Sequence, residues 1–218
     1  MNAQMLELLY VGTLETLYMT LVATALSYLL GVPLGVVLFV TAKDGLRPSK
    51  MINGLLSFVV NVLRSAPFII LLIVIMPLTR LIMGTTIGSS AMILPLVVAS
   101  TPFVGRMVES ALQEVGFGVV EAAQSMGCSN FQIVTKVLLC EAKPALLTGA
   151  TITITTILSY SAMAGFVGGG GLGTIATNYG LYRYETGVML VTLVLLIGIV
   201  QFFQFVGTQL AAKTDKRK

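Results

Sequence analysis

The sequence predicts an all-α integral membrane protein with five membrane helices, and three observations carry that reading. The 218 residues are 56% hydrophobic and 10% charged, with a mean hydropathy of +0.95, whereas soluble domains average about a quarter charged. The charges leave long gaps: no Asp, Glu, Lys or Arg lies between Glu15 and Lys43, Arg80 and Arg106, Lys143 and Arg183, or Glu185 and Lys213. A hydrocarbon core about 30 Å thick needs roughly 20 apolar residues of helix, and each gap is long enough. The cations that remain are distributed very unevenly between the loops.

The spans fall at about 14–41, 57–79, 88–111, 144–166 and 187–211. In the first, Ser27, Gly31 and Gly35 recur at spacing four around Pro33; small residues at that spacing let helices approach closely in lipid. The segment before it carries Glu7 and Glu15 and no cation ahead of Lys43, unlike a cleaved signal, so it is expected to remain in the mature protein. The gap from Arg64 to Arg80 is short, so the second span is expected to begin before Arg64, with its guanidinium reaching towards the interface. The third contains Pro95 and Pro102, and the fourth is rich in hydroxyls from Thr148 to Ser161. Those hydroxyls either satisfy backbone carbonyls or wet a path between helices.

Lys and Arg in short loops resist translocation. With five spans, one side receives Lys43, Arg47, Lys50, Arg106, Lys136, Lys143, Lys213, Lys216, Arg217 and Lys218, and the other only Arg80 and Arg183. The expected orientation is N-terminus outside, C-terminus cytoplasmic. The net charge of +4 is then a topology and lipid-headgroup signal, not a nucleic-acid footprint. Histidine is absent, and the two cysteines, Cys128 and Cys140, form no CxxC. No metal, cofactor or Ser/His or Cys/His catalytic pair is therefore expected. The glycine run GFVGGGGLGT (165–174) lacks the lysine of a phosphate loop and follows a membrane span; a flexible or re-entrant turn is expected instead.

One stretch fits no span: VEAAQSMGCSNFQIVTKVLLCEAK (120–143). Val119, Val120, Ala123 and Met126 fall at helical spacing, with Glu121 expected in the opening turn near the positive helix end. Gly127 suits a left-handed cap, and Ser129-x-x-Gln132 has the spacing of a capping box. The second helix would place Phe131, Val134 and Leu138 on one face with Ile133 and Val137 beside it, and Pro144 opens the next span. A helix–turn–helix this small cannot bury its own apolar faces. It either lies flat on lipid or inserts into a groove on a soluble partner; with only Lys136 basic between 121 and 142, the partner is favoured.

EAAQSMG, followed nine residues later by VLLCEAKP, resembles the EAA loop of ABC-importer permeases. Cys140 stands where that family has proline, with Pro144 following. NVLRSAPFIILL (61–72), TPFVGRMVESAL (101–112) and YSAMAGFVGGGGLG (160–173) are similar to the permease family of bacterial methionine importers. The resemblance implies a type I ABC-importer permease fold in a single domain over 1–218, with a cytoplasmic coupling loop at about 112–143, in the bacterial inner membrane. It implies a homodimer that moves methionine by alternating access, a cytoplasmic ABC ATPase dimer that carries the ATP chemistry, and an extracytoplasmic substrate-binding lipoprotein that delivers the methionine. Glu121, Ala122, Ala123, Gly127, Phe131 and Leu139 are the residues expected to dock the ATPase. Candidates for the translocation path are Arg64, Ser65 and Pro67, where Arg64 is either a functional charge or an interfacial anchor, and Tyr160, Ser161 and Met163, where Met163 is either a thioether contact or packing. The alternative substrate is a different amino acid or small polar solute. A channel or secondary carrier would need paired ionisable groups in mid-membrane, of which the deep parts of the spans are nearly free.

Overall fold

A computed structural model describes residues Ala3–Asp215. Lys216, Arg217 and Lys218, counted in the charge asymmetry, lie outside the described residues. The main helices are α1 (Ala3–Thr41), α2 (Lys50–Ser65), α3 (Phe68–Met83), α4 (Ser89–Gln113), α5 (Phe117–Ser125), α6 (Asn130–Gln132), α7 (Leu139–Glu141), α8 (Lys143–Ala164), α9 (Gly171–Ile175) and α10 (Thr186–Thr214). Among the described residues there is no strand. Among the described residues four helices, α1, α4, α8 and α10, are each long and apolar enough to cross a membrane, and α2 and α3 make a fifth if the bent pair is counted as one broken span.

The helix expected across 57–79 is broken. α2 ends at Ser65, Pro67 is extended (φ −58°, ψ 132°), and α3 begins at Phe68, so α2 and α3 meet at a sharp bend. Proline pushes the residue before it out of the helical region and is tolerated where a new helix begins. Pro33, by contrast, lies inside the unbroken α1, and Pro77 inside α3.

The chain forms two compact units. One comprises Tyr28–Ser65, Thr101–Ile152 and the residues from Val206 on. Its core joins Val104, Val108, Ala111, Leu112 and Val115 to Val120, Ala123, Ile133, Val134, Leu138 and Ala142. The small residues of α1 decide how tightly it packs. A Cβ at Gly31 would stand 2.6 Å from Val104 Cβ, and one at Gly35 would stand 2.5 Å from the Gly105 carbonyl oxygen. Those separations are below any van der Waals contact, so the close approach expected from the glycine spacing is used here against α4. Asn53 on α2 donates to the Leu38 carbonyl at 2.8 Å, tying α2 to the end of α1.

The other unit comprises the residues up to Ser27, Ala66–Ser100 and Thr153–Phe205. One cluster gathers Met19, Ala23, Phe68, Leu72, Met92, Leu96, Val97, Ile157 and Ala164; a second holds Leu9, Leu172, Ile175 and Val188. Of the two expectations for the glycine run, a flexible or a re-entrant turn, the flexible one is not met: the run is helical and packed. It forms a 3₁₀ turn (Gly165–Val167), then α9, which continues as a π-helical stretch (Ala176–Leu181). Gly168, Gly170 and Gly171 all have positive φ, from +69° to +78°. The returning chain packs against its own preceding helix so closely that a Cβ at Gly165 would lie 2.6 Å from the Thr174 nitrogen. Glycine is needed here for backbone contact as much as for conformation.

Candidate functional site

The elbow between α4 and α8 is built from local signals, of which the structure realises the glycine cap and the capping box. After α5, Gly127 takes φ +78°. Its N–H donates to the Gln124 carbonyl at 2.9 Å, and the Cys128 N–H donates to the Ala123 carbonyl at 3.1 Å. This pair of bonds is a complete Schellman turn. Ser129 then caps α6: its hydroxyl accepts from the Gln132 N–H at 3.3 Å, while Gln132 Oε1 accepts from the Ser129 N–H at 2.8 Å. From Ile133 to Leu138 the helix widens to π geometry before α7, and α8 follows with Pro144 in its first turn.

Burial divides this elbow into two faces. Val120, Ala123, Ile133, Val134 and Leu138 are buried in the unit's core. Phe131 (77% exposed), Met126 (76%) and Phe117 (64%) project outwards, as do Glu121, Ala122 and the Gly127 turn. Three expectations are thereby corrected. Phe131 does not share a face with Val134 and Leu138, because its position in α6 turns it away from the core. Val119 and Met126 are exposed, leaving Val120 and Ala123 as the inward pair of α5. Glu121 is not in the first turn of α5, which starts at Phe117 and has no acidic residue there; it belongs to the second turn, exposed. Of the six residues expected to dock a partner, four face outwards, Ala123 is 2% exposed inside the core, and Leu139 is half-buried. The outward set is an apolar knob on a rigid base.

The candidate path residues fall in both units, Arg64 and Ser65 in one and Pro67, Tyr160, Ser161 and Met163 in the other. Tyr160 stacks flat on Phe68, with ring centroids 4.4 Å apart. Ser161 is buried, and its hydroxyl donates to the Leu158 carbonyl at 2.7 Å. Met163 opens into an apolar groove shared with Ala162, Phe166, Leu196 and Ile197. In the other unit, Arg64 is exposed in the last turn of α2, and Ser65 donates back to the Asn61 carbonyl at 2.8 Å. Pro67 shapes the break ahead of α3. Several of the fourth helix's hydroxyls serve the backbone, since Thr148, Thr151 and Ser159 each donate to a carbonyl four residues earlier.

Other polar groups escaped sequence reasoning, several of them because their partners are distant in the chain. Glu15 accepts from the Gly171 N–H at 2.7 Å, and Thr16 Oγ1 accepts from the Leu172 N–H at 2.9 Å, so α1 caps the start of α9. Thr20, Ser27 and Ser100 carry buried hydroxyls with no hydrogen-bond partner among the described residues. On α4, Arg106 donates to Glu109 Oε2 at 2.6 Å and to Asn61 Oδ1 at 3.1 Å. The i, i+3 spacing was legible; the contact with α2 was not.

Glu109 is 7% exposed, so removing it strands a cation. Glu109→Ala is expected to destabilise the protein by about 2–3 kcal/mol, below the usual figure for a broken buried pair because Arg106 keeps some solvent. The double variant Arg106→Met/Glu109→Leu should recover most of the loss. Thermal melting of the purified protein in one detergent reads both.

Residues 13–216 match the family described as binding-protein-dependent transport system inner membrane component. The chain belongs to this family. Among relatives of this transport-system component, the probable D-methionine transport system permease protein MetI of Vibrio cholerae serotype O1 is 51% identical over 97% of this chain and 94% of its own length. The protein of the same description from Pasteurella multocida is 44% identical over the full length of both chains. A solved structure described as an inward facing conformation of the MetNI methionine ABC transporter superposes with a TM-score of 0.98 at 45% identity, covering 99% of this chain and 100% of the other. The fold is accordingly that of a type I ABC-importer permease, and the chain is a membrane permease.

Proposed function

We infer that this chain is the membrane subunit of an ATP-driven methionine importer, acting as two copies on a separate cytoplasmic ATPase dimer. ATP hydrolysis belongs to that partner. The observation that carries this reading is the two-faced elbow: one face is cemented into the permease, and the other presents Phe117, Met126 and Phe131. A fixed apolar knob suits helix-in-groove docking, and its two caps make it stiff enough to pass on movement. The names of the relatives direct the substrate to methionine. Closure of the ATPase pair would draw two such elbows together, and rigid-body rocking of the helices would alternate access. Glu121, Ala122, Gly127, Phe131 and Leu139 form or frame the docking face, with Ala123 setting its height from below. An extracytoplasmic binding protein supplies the substrate, and the cation distribution supports an N-terminus outside and a C-terminus inside. Arg64, Ser65, Pro67, Tyr160, Ser161 and Met163 remain the proposed path residues, with Pro67 at the bend ahead of α3.

Uptake of labelled methionine of each hand is the test, in vesicles holding the reconstituted complex with ATP inside the lumen that the elbows face. Saturable uptake competed by methionine supports the reading. Uptake of a different amino acid in preference would transfer the function to that solute. Orientation has its own test, since Cys140 is exposed on the elbow. A membrane-impermeant maleimide is expected to label it in inside-out vesicles and not in intact cells, and more slowly once the ATPase is assembled.

A further inference from the structure

A cavity of about 480 Å³ is lined by Gln4, Met5, Leu8, Tyr179, Arg183, Glu185 and Val188, all within one unit. Its size lies within the range of small-ligand sites, roughly 300–1,000 Å³. It shares no lining residue with the Met163 groove or with the elbow.

Its charges are arranged unusually. Arg183 and Glu185 are two residues apart and line the same space, yet no ion pair joins them. Arg183 instead lies over the Tyr179 ring, 4.5 Å from its centroid. Stacking fixes the guanidinium through its face and leaves its N–H donors at the edge available. The turn that carries the pair is held in an uncommon conformation. Tyr184, between them, has φ +57°, a region that non-glycine residues seldom occupy. The turn is closed by the Glu185 N–H donating to the Tyr179 carbonyl at 3.0 Å. A stacked cation, an exposed carboxylate on the same turn and an apolar wall of Met5, Leu8 and Val188 therefore line one space.

We propose that this cavity binds a zwitterion with an apolar tail, its anionic group on Arg183 and its ammonium on Glu185. A carboxylate or phosphate would meet the arginine fork. Two sources share this chemistry: the phosphoethanolamine headgroup of a membrane lipid and a free apolar amino acid. The proposal rests on the cavity and not on the transport reading.

The test uses the complete complex with its ATPase, stripped of lipid in detergent. One arm adds phosphatidylethanolamine or phosphatidylglycerol of matched acyl chains and counts retained lipid by native mass spectrometry. The other measures radiolabelled methionine by equilibrium dialysis. The parent complex should retain phosphatidylethanolamine or methionine, and Arg183→Gln and Glu185→Gln should each weaken that retention about tenfold, as loss of a charge-assisted bond does. Leu8→Trp, which fills the cavity and spares both charges, should weaken it as much. Which probe responds identifies the source. Retention of neither probe, retention unchanged in the two charge variants, or phosphatidylglycerol held as firmly as phosphatidylethanolamine with methionine unbound would overturn the proposal.

Discussion

Gly173→Val is expected to abolish accumulation of folded protein. A Cβ at this position would meet the Ala162 carbonyl oxygen and stand 2.8 Å from Ala162 Cα, so it would press on backbone and not on a side chain able to swing away. Gly165, across the same contact, would meet Gly173 and Thr174 backbone in turn. Overpacking a core costs about 1–3 kcal/mol where side chains can yield. Here α8 and α9 would have to separate, uncovering Leu172 and Ile175 and breaking the bonds from α9 to Glu15 and Thr16. A loss above about 3 kcal/mol would consume a large share of the 5–15 kcal/mol typical of a folded domain. The measurement is yield of monodisperse protein after detergent extraction. Gly54→Ala, where an added Cβ meets nothing within 4 Å, is the control and should accumulate normally.

The second large effect is on function and leaves the fold standing. Gly127→Val is expected to cut uptake by about tenfold or more while the protein still assembles and the ATPase still turns over. No atom lies within 4 Å of a Cβ placed there, so the whole penalty is conformational. Left-handed backbone costs an ordinary residue about 1–2 kcal/mol, and β-branched residues tolerate it worst. The chain relieves that strain by opening the Schellman turn, which frees the Cys128 and Gly127 N–H groups and tilts α5 against α6. The buried face, anchored by Ile133 and Leu138, holds its place, while the spacing between Phe117, Met126 and Phe131 changes. Gly127→Asn, which visits the left-handed region more readily, should keep most uptake. Undiminished uptake by the valine variant in a fully assembled complex would count heavily against mechanical coupling through this elbow.

Ser129 and Gln132 could be paired on paper because they stand three positions apart, and the glycine before them announced a turn for the same local reason. The faces of the elbow were less legible. Helical spacing grouped Phe131 with Val134 and Leu138, but a short helix entering a π-helical stretch does not keep the 100° step on which such grouping relies. The path candidates were chosen by chemistry at span ends, which carried no information on their packing: Tyr160 stacks on Phe68, Ser161 bonds to its own helix and Met163 lines a groove.

The amino-acid sequence by itself determined that the chain is helical and membrane-embedded, and where its elbow turns. Those properties follow from charge-free runs and from residues within about four positions of each other. Only the tertiary structure decided that the Gly-rich run would be a packed return helix and that Glu15 and Thr16 would cap it from 156 positions away. It likewise paired Arg106 with Asn61, 45 positions apart. Contacts at such separations depend on which helices become neighbours, and in a chain of uniformly apolar spans hydrophobicity does not choose among them; the fit of small residues and the few polar groups does.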